Sequence, residues 1–115
     1  MAPPLYQAKA DFFRTIGHPA RIRVLELLSG HEHAVHELLA AIDIEPSNLS
    51  QQLAVLRRAG LVTQRRDGGQ VLYSVSIPQV SELLMIAREI LLGLAAEQES
   101  LVAQLRPGPR IGSAR

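Results

Sequence analysis

Apolar residues recur at helical spacing through most of this chain, switch once to strict alternation, and then return to helical spacing. Leu5, Ala8, Phe12 and Ile16 fall on one stripe with Tyr6 and Phe13 beside it, which predicts a helix over residues 5–16 closed by Gly17. These aromatics read as core or dimer packing. A second helix opens at His18-Pro19, because proline is accommodated at a first helical position. It buries Ile22, Leu25 and Leu28, with Val24 and Leu27 flanking, and ends at Ser29-Gly30. A short helix over residues 34–42 carries Val35, Leu38, Leu39 and Ile42 as its buried positions. Asp43-Ile44-Glu45 then makes a tight connection to residues 46–62, around which the rest of the chain is organised.

Residues 46–62 read as a helix with two unlike faces. Leu49, Leu53 and Leu56 follow i, i+4, i+7 spacing and form an apolar stripe. Asn48, Gln51, Gln52 and Val55 are expected on a different face. Three of these four are amides, which both donate and accept hydrogen bonds and can pair bidentately with adenine in a major groove. Pro46, Ser47 and Asn48 suit the helix start, and Gly60 suits the residue after its end. Arg57 and Arg58 complement the dipole in the last turn. An ordinary amphipathic core helix has the same pattern, and periodicity alone does not separate the two.

After Gly60 the period becomes two. Residues 61–66 read as a strand, Asp67-Gly68 with Gly69 as a turn, and residues 70–76 as the returning strand. The hairpin carries Arg65 and Arg66 near its tip, where they are expected to reach phosphates or a neighbouring minor groove. From about residue 79 to 105 a last, long helix is apolar on two adjacent stripes, one through Leu83, Ile90 and Leu94 and the other through Val80, Leu84 and Leu91. So wide an apolar arc needs two partners, the chain's own domain and a second copy. Residues 106–115, RPGPRIGSAR, have no apolar period and read as a disordered basic tail. The expected organisation is one DNA-binding and dimerisation domain over residues 1–105 with that tail after it.

At 115 residues the chain fits a single domain. The absence of cysteine excludes disulfides, thiolate metal sites and cysteine nucleophiles. With no secretion signal pattern and no apolar run long enough for a membrane, a cytoplasmic protein without membrane partners is expected. The net charge of +1 is uninformative, but its distribution is not. Residues 46–76 hold four arginines against Asp67, and the tail adds three more, while residues 1–45 and 77–105 are net acidic. Positive charge thus gathers beside the amide-bearing helix, as a DNA-binding surface requires.

His31, His33 and His36 stand close together and raise a metal site, but their spacing matches no recognised ligand set and no cysteine supports them. A polar loop entering a short helix is the preferred reading, and no cofactor is expected. A hydrolase using Ser and His has no nucleophile elbow or phosphate loop to support it. A protein-interaction module of the same architecture without DNA binding is opposed by the amides and the hairpin arginines.

The order of helices, helix-turn-helix, hairpin and long helix resembles the ArsR/SmtB family of winged-helix repressors. The resemblance is carried by His18-Pro19-Ala20-Arg21 with Val24, Leu25 and Leu28, and by residues 47–53 with Leu56, Arg57 and residues 59–62. Arg65-Arg66-Asp67-Gly68 and Tyr73-Ser74 complete it. It implies a mainly α fold with a small β-hairpin, a winged helix-turn-helix dimerising through its first and last helices. It also implies a homodimeric repressor that leaves its operator in double-stranded DNA when an effector binds, and two-fold symmetry in the dimer makes that operator an imperfect palindrome. DNA-binding residues would be Ser47, Asn48, Ser50, Gln51, Gln52 and Arg57, with Arg65 and Arg66 in the wing. This chain departs from the family pattern at Gln52, often His, and in its metal ligands. The Cys-x-Cys pair of the arsenic and cadmium sensors falls near Ala34 and His36, and the last helix has no His or Asp. A repressor without the usual metal sites, answering to no effector or to an unknown small molecule, is therefore expected. A histidine-based metal-responsive repressor using His31, His33 and His36 is the alternative.

Overall fold

The computed structural model describes residues 1–107; the expected tail lies almost wholly outside the described residues. Five helices and three strands follow in the order α1 (Leu5–Ile16), α2 (Pro19–Gly30), β1 (His33–Ala34), α3 (Val35–Ala41), α4 (Pro46–Arg58), β2 (Val62–Asp67), β3 (Gln70–Val75) and α5 (Pro78–Leu105). Strand β1 is not expected from the sequence. Two residues are too few to display a period, and β1 exists because β3 offers it a free edge. His33 pairs with Tyr73 and Ala34 with Leu72, giving an antiparallel sheet in the order β1-β3-β2.

The hairpin closes through Gly68 and Gly69, both at positive φ, between the paired residues Asp67 and Gln70. Two positive-φ residues in a two-residue loop give the turn whose twist matches the strands it joins. His18 caps α2, its Nδ1 accepting from the Ala20 N–H at 3.1 Å. Glu37 serves α3 by accepting the Ala34 N–H at 2.8 Å.

Met1–Leu84 is one compact unit. Its core joins Val24, Leu25 and Leu28 of α2, Leu38 of α3, Leu49, Leu53 and Leu56 of α4, and Leu61, Val62 and Val80. A leucine buried this fully contributes about 1.5–3 kcal/mol. The α4 stripe is buried throughout, but the α1 stripe is not. Ile16 is buried and Phe12 half-buried, while Leu5, Tyr6 and Phe13 are exposed, because the first turns of α1 have no wall of this unit to lie against. In α5 only Val80 is buried, with Ser81, Leu83 and Leu84 half-buried. From Met85 the helix belongs to a second unit in which every described residue is exposed, including Ile90, Leu91 and Leu94. Burial within the first unit is thus confined to the C-terminal part of α1 and the first turns of α5.

Candidate nucleic-acid interface

Helix α4 is fixed at its far end by backbone geometry. Gly60 adopts φ 79°, its N–H bonds to the Arg57 carbonyl, and the Leu61 N–H bonds to the Leu56 carbonyl, both at 3.0 Å. This double closure satisfies two orphan carbonyls and drops Leu61 into the core. It also aims the chain into β2. Ser76 locks the return: its hydroxyl donates to the Gly60 carbonyl at 2.6 Å. The wing is thereby held at a set distance from α4.

At the near end Glu45 is the N-cap residue and Pro46 occupies the first turn, with no side-chain cap. Ser47 and Asn48, expected to help start the helix, do not cap it. Ser47, Asn48, Ser50, Gln51 and Arg57 all stand exposed along α4. Gln52 does not join them. It is 8% exposed, and its side chain turns inward. Residues 49, 52, 53 and 56 follow i, i+3, i+4, i+7, so Gln52 lies on the leucine stripe rather than the amide face. Its Oε1 accepts from Arg21 Nε at 2.8 Å, and its Nε2 donates to Asn48 Oδ1 at 2.8 Å. Arg21 also donates through Nη1 to the Thr15 carbonyl at 2.7 Å. One hydrogen-bonded chain thus links the last turn of α1, α2 and α4. The expected groove-facing role of Gln52 is corrected: its polar atoms are occupied inside the protein.

The two wing arginines are also unlike. Along β2, Arg65 and Arg66 point to opposite faces of the sheet. Arg65 is held by Glu32, with Nε donating to Oε2 at 3.0 Å and Nη2 to Oε1, and Asp67 lies 4.0 Å away. The pairing lowers the Glu32 carboxyl below its ordinary 4.5, mainly through the hydrogen bond, and raises the Arg65 guanidinium. Arg66, Arg57 and Arg58 make no ion pair among the described residues. The Arg65 expectation therefore changes in kind: in this structure its guanidinium anchors the wing to the α2–β1 connection.

The histidines expected as alternative metal ligands do not converge with further donors. The rings of His31 and His33 stack at 4.1 Å and 17°. Each Nδ1 faces a backbone carbonyl, His31 that of Glu32 at 2.7 Å and His33 that of His31 at 2.8 Å. Among the described residues no three His, Cys, Asp or Glu side chains are placed to hold a metal ion. No helix among them is long and apolar enough to cross a membrane.

Arg21, Thr15 and Glu32 are residues that sequence reasoning missed as parts of this surface. Arg21 and Gln52 are 31 positions apart, and Glu32 and Arg65 are 33 apart, so no local period connects them. The only sequence signal was Arg21 within His18-Pro19-Ala20-Arg21.

Residues 18–64 match the bacterial regulatory protein arsR family. The chain is 50% identical over 106 residues to the helix-turn-helix transcriptional regulator Rv0081 of Mycobacterium tuberculosis, covering 91% of this chain and 93% of that one. The chain belongs to the arsR family of bacterial regulatory proteins. The crystal structure of Rv0081 superposes with a TM-score of 0.75 at 52% identity, over 84% of this chain and 98% of that one. That of the transcriptional repressor BigR from Xylella fastidiosa gives 0.69 at 33% identity, over 74% and 87%. As an ArsR-family protein this chain is a DNA-binding transcriptional repressor with a winged helix-turn-helix. Regulators of this family are not enzymes.

Proposed function

We propose that the protein represses transcription as a homodimer bound to an imperfect palindrome, with α4 in the major groove and the wing on the flanking backbone. The observation that carries this is the exposed row Ser47, Asn48, Ser50 and Gln51 on α4, beside Arg57 and Arg66, whose charges no acid of the described chain neutralises. Asn48 and Gln51 read bases, Ser47 and Ser50 support them, and Arg57 and Arg66 meet phosphates. Residues 1–105 act as one DNA-binding and dimerisation unit in the cytoplasm. Exposed Leu5, Tyr6 and Phe13 on α1, and Ile90, Leu91 and Leu94 on α5, are apolar surface that a second copy covers. With two-fold symmetry, the half-sites lie about one helical turn apart.

The signal that releases the operator is not a metal ion. The lack of thiolates for a soft metal ion, and the Nδ1 atoms of His31 and His33 each facing a backbone carbonyl, leave an organic effector, or none. The test is a gel shift on genomic fragments with the wild type, Asn48→Ala and Gln51→Ala. Selected fragments should be retained by the wild type, and each variant should relax preference at one base position per half-site. Equal binding to all fragments would overturn the reading.

A further inference from the structure

The side-chain relay behind α4 has a fixed polarity, and that polarity reaches the DNA-facing surface. A guanidinium carries five N–H donors and no acceptor. Arg21 donates to Gln52 Oε1, so the Gln52 amide must present its oxygen to Arg21 and its NH2 on the other side. There it meets Asn48, and only the Asn48 oxygen can accept it. The orientation of Asn48 is therefore dictated two residues back along the relay. The second guanidinium bond, to the Thr15 carbonyl, holds Arg21 itself in place. Gln52 is buried and both bonds are part-buried, so water competes for them less than at an exposed amide pair.

We propose that Arg21 and Gln52 are positioning residues that make Asn48 a hydrogen-bond donor toward the DNA, so that it selects an acceptor edge, guanine foremost. The inference rests on the reading that Asn48 enters the major groove, and it goes beyond it by naming what Asn48 reads there. Bidentate recognition of adenine needs the amide oxygen and nitrogen to face the base together. Here the oxygen is turned back to Gln52, and the outward NH2 makes no hydrogen bond to the described protein. Guanine offers O6 and N7 side by side as acceptors, whereas cytosine presents its N4 amino group, a donor. The adenine preference drawn from the amide alone is thereby replaced.

Gln52→Glu tests the relay by reversing it. Glutamate is nearly isosteric and keeps the Arg21 bond, but its carboxylate only accepts, so Asn48 must turn its NH2 inward and its oxygen outward. Wild type, Asn48→Ala and Gln52→Glu are each used to select duplexes from a randomised library. Asn48→Ala identifies the contacted position by relaxing it. At that position the wild type should favour guanine by about tenfold and Gln52→Glu should favour a donor edge, cytosine or adenine, by a similar factor. A purely structural role for Gln52 would weaken all duplexes alike without reversing the preference.

If Asn48→Ala relaxes no position, the groove assignment fails. If it relaxes one where the wild type selects adenine or any base other than guanine, or where Gln52→Glu keeps guanine, the relay proposal fails and the groove assignment stands. Side-chain amide exchange in the DNA-free wild type keeps the proposal open to refutation should Gln52→Glu not fold. The Gln52 NH2 protons should be protected and those of Asn48 should exchange freely. Protection of Asn48 with free exchange at Gln52 would overturn it.

Discussion

Arg65→Gln and Arg66→Gln remove the same charge from adjacent positions of one strand, yet the structure predicts different effects on DNA binding. Arg66 has no acidic partner among the described residues, whereas the guanidinium of Arg65 is engaged by Glu32. Each arginine–phosphate contact contributes about 0.9 to the slope of log K against log salt. A two-fold dimer has two wings, so Arg66→Gln should flatten the slope by about 1.8. Over a fourfold rise in salt, that is about a 12-fold smaller loss of affinity than the wild type suffers. Arg65→Gln should change the slope by less than about 0.5, because the charge removed was already neutralised locally. Glu32→Gln should do the opposite of Arg66→Gln: it frees Arg65 and steepens the slope by up to about 1.8. Fluorescence anisotropy with one labelled operator fragment, titrated at five salt concentrations, measures all four proteins. Equal flattening by the two arginine variants, with Glu32→Gln indistinguishable from the wild type, would refute the division of roles.

Further consequences concern the core, the helix end, the wing tether and the histidines. Leu56→Ala, at a fully buried site, should cost about 2–5 kcal/mol of stability in urea unfolding, whereas Leu5→Ala on the exposed end of α1 should lower dimer affinity instead. Gly60→Ala has open space for its methyl group but a φ of 79°, so it should cost about 1–2 kcal/mol by thermal unfolding through backbone strain alone. Glu32 has its acidity raised by Arg65, so the pairing is complete above 4.5 and is lost only as pH falls through the lowered value. The difference in salt slope between the wild type and Glu32→Gln should therefore persist down to about pH 5 and close only under more acid conditions. Zinc, nickel or cobalt titrated into the protein–operator complex should not release it; release at stoichiometric metal, abolished in His33→Ala with His36→Ala, would make this a histidine-based sensor.

What the sequence disclosed, and what it hid, follows from the range of the interactions. The leucine stripe of α4, the Gly60 stop and the hairpin are local patterns, with partners within a few residues, and they were legible. Strand β1 was not, since a two-residue strand is defined by its neighbour and not by its own composition. Gln52 is hidden by its residue type: it is an amide, but the helical period puts it on the leucine stripe, where it is buried. Arg65 looked like a free wing cation because its partner, Glu32, lies 33 positions away and belongs to another element. The exposed apolar residues of α1 and α5 are legible as apolar, and the width of the α5 arc is what points to a partner beyond the chain's own domain.

The most direct test is hydroxyl-radical footprinting of a selected operator, with the stoichiometry of the complex measured by light scattering. Two copies of the chain should protect two symmetric segments about one helical turn apart, and Asn48→Ala and Arg66→Gln should each weaken protection in both. A monomer protecting a single asymmetric segment, or protection that neither substitution alters, would contradict the account.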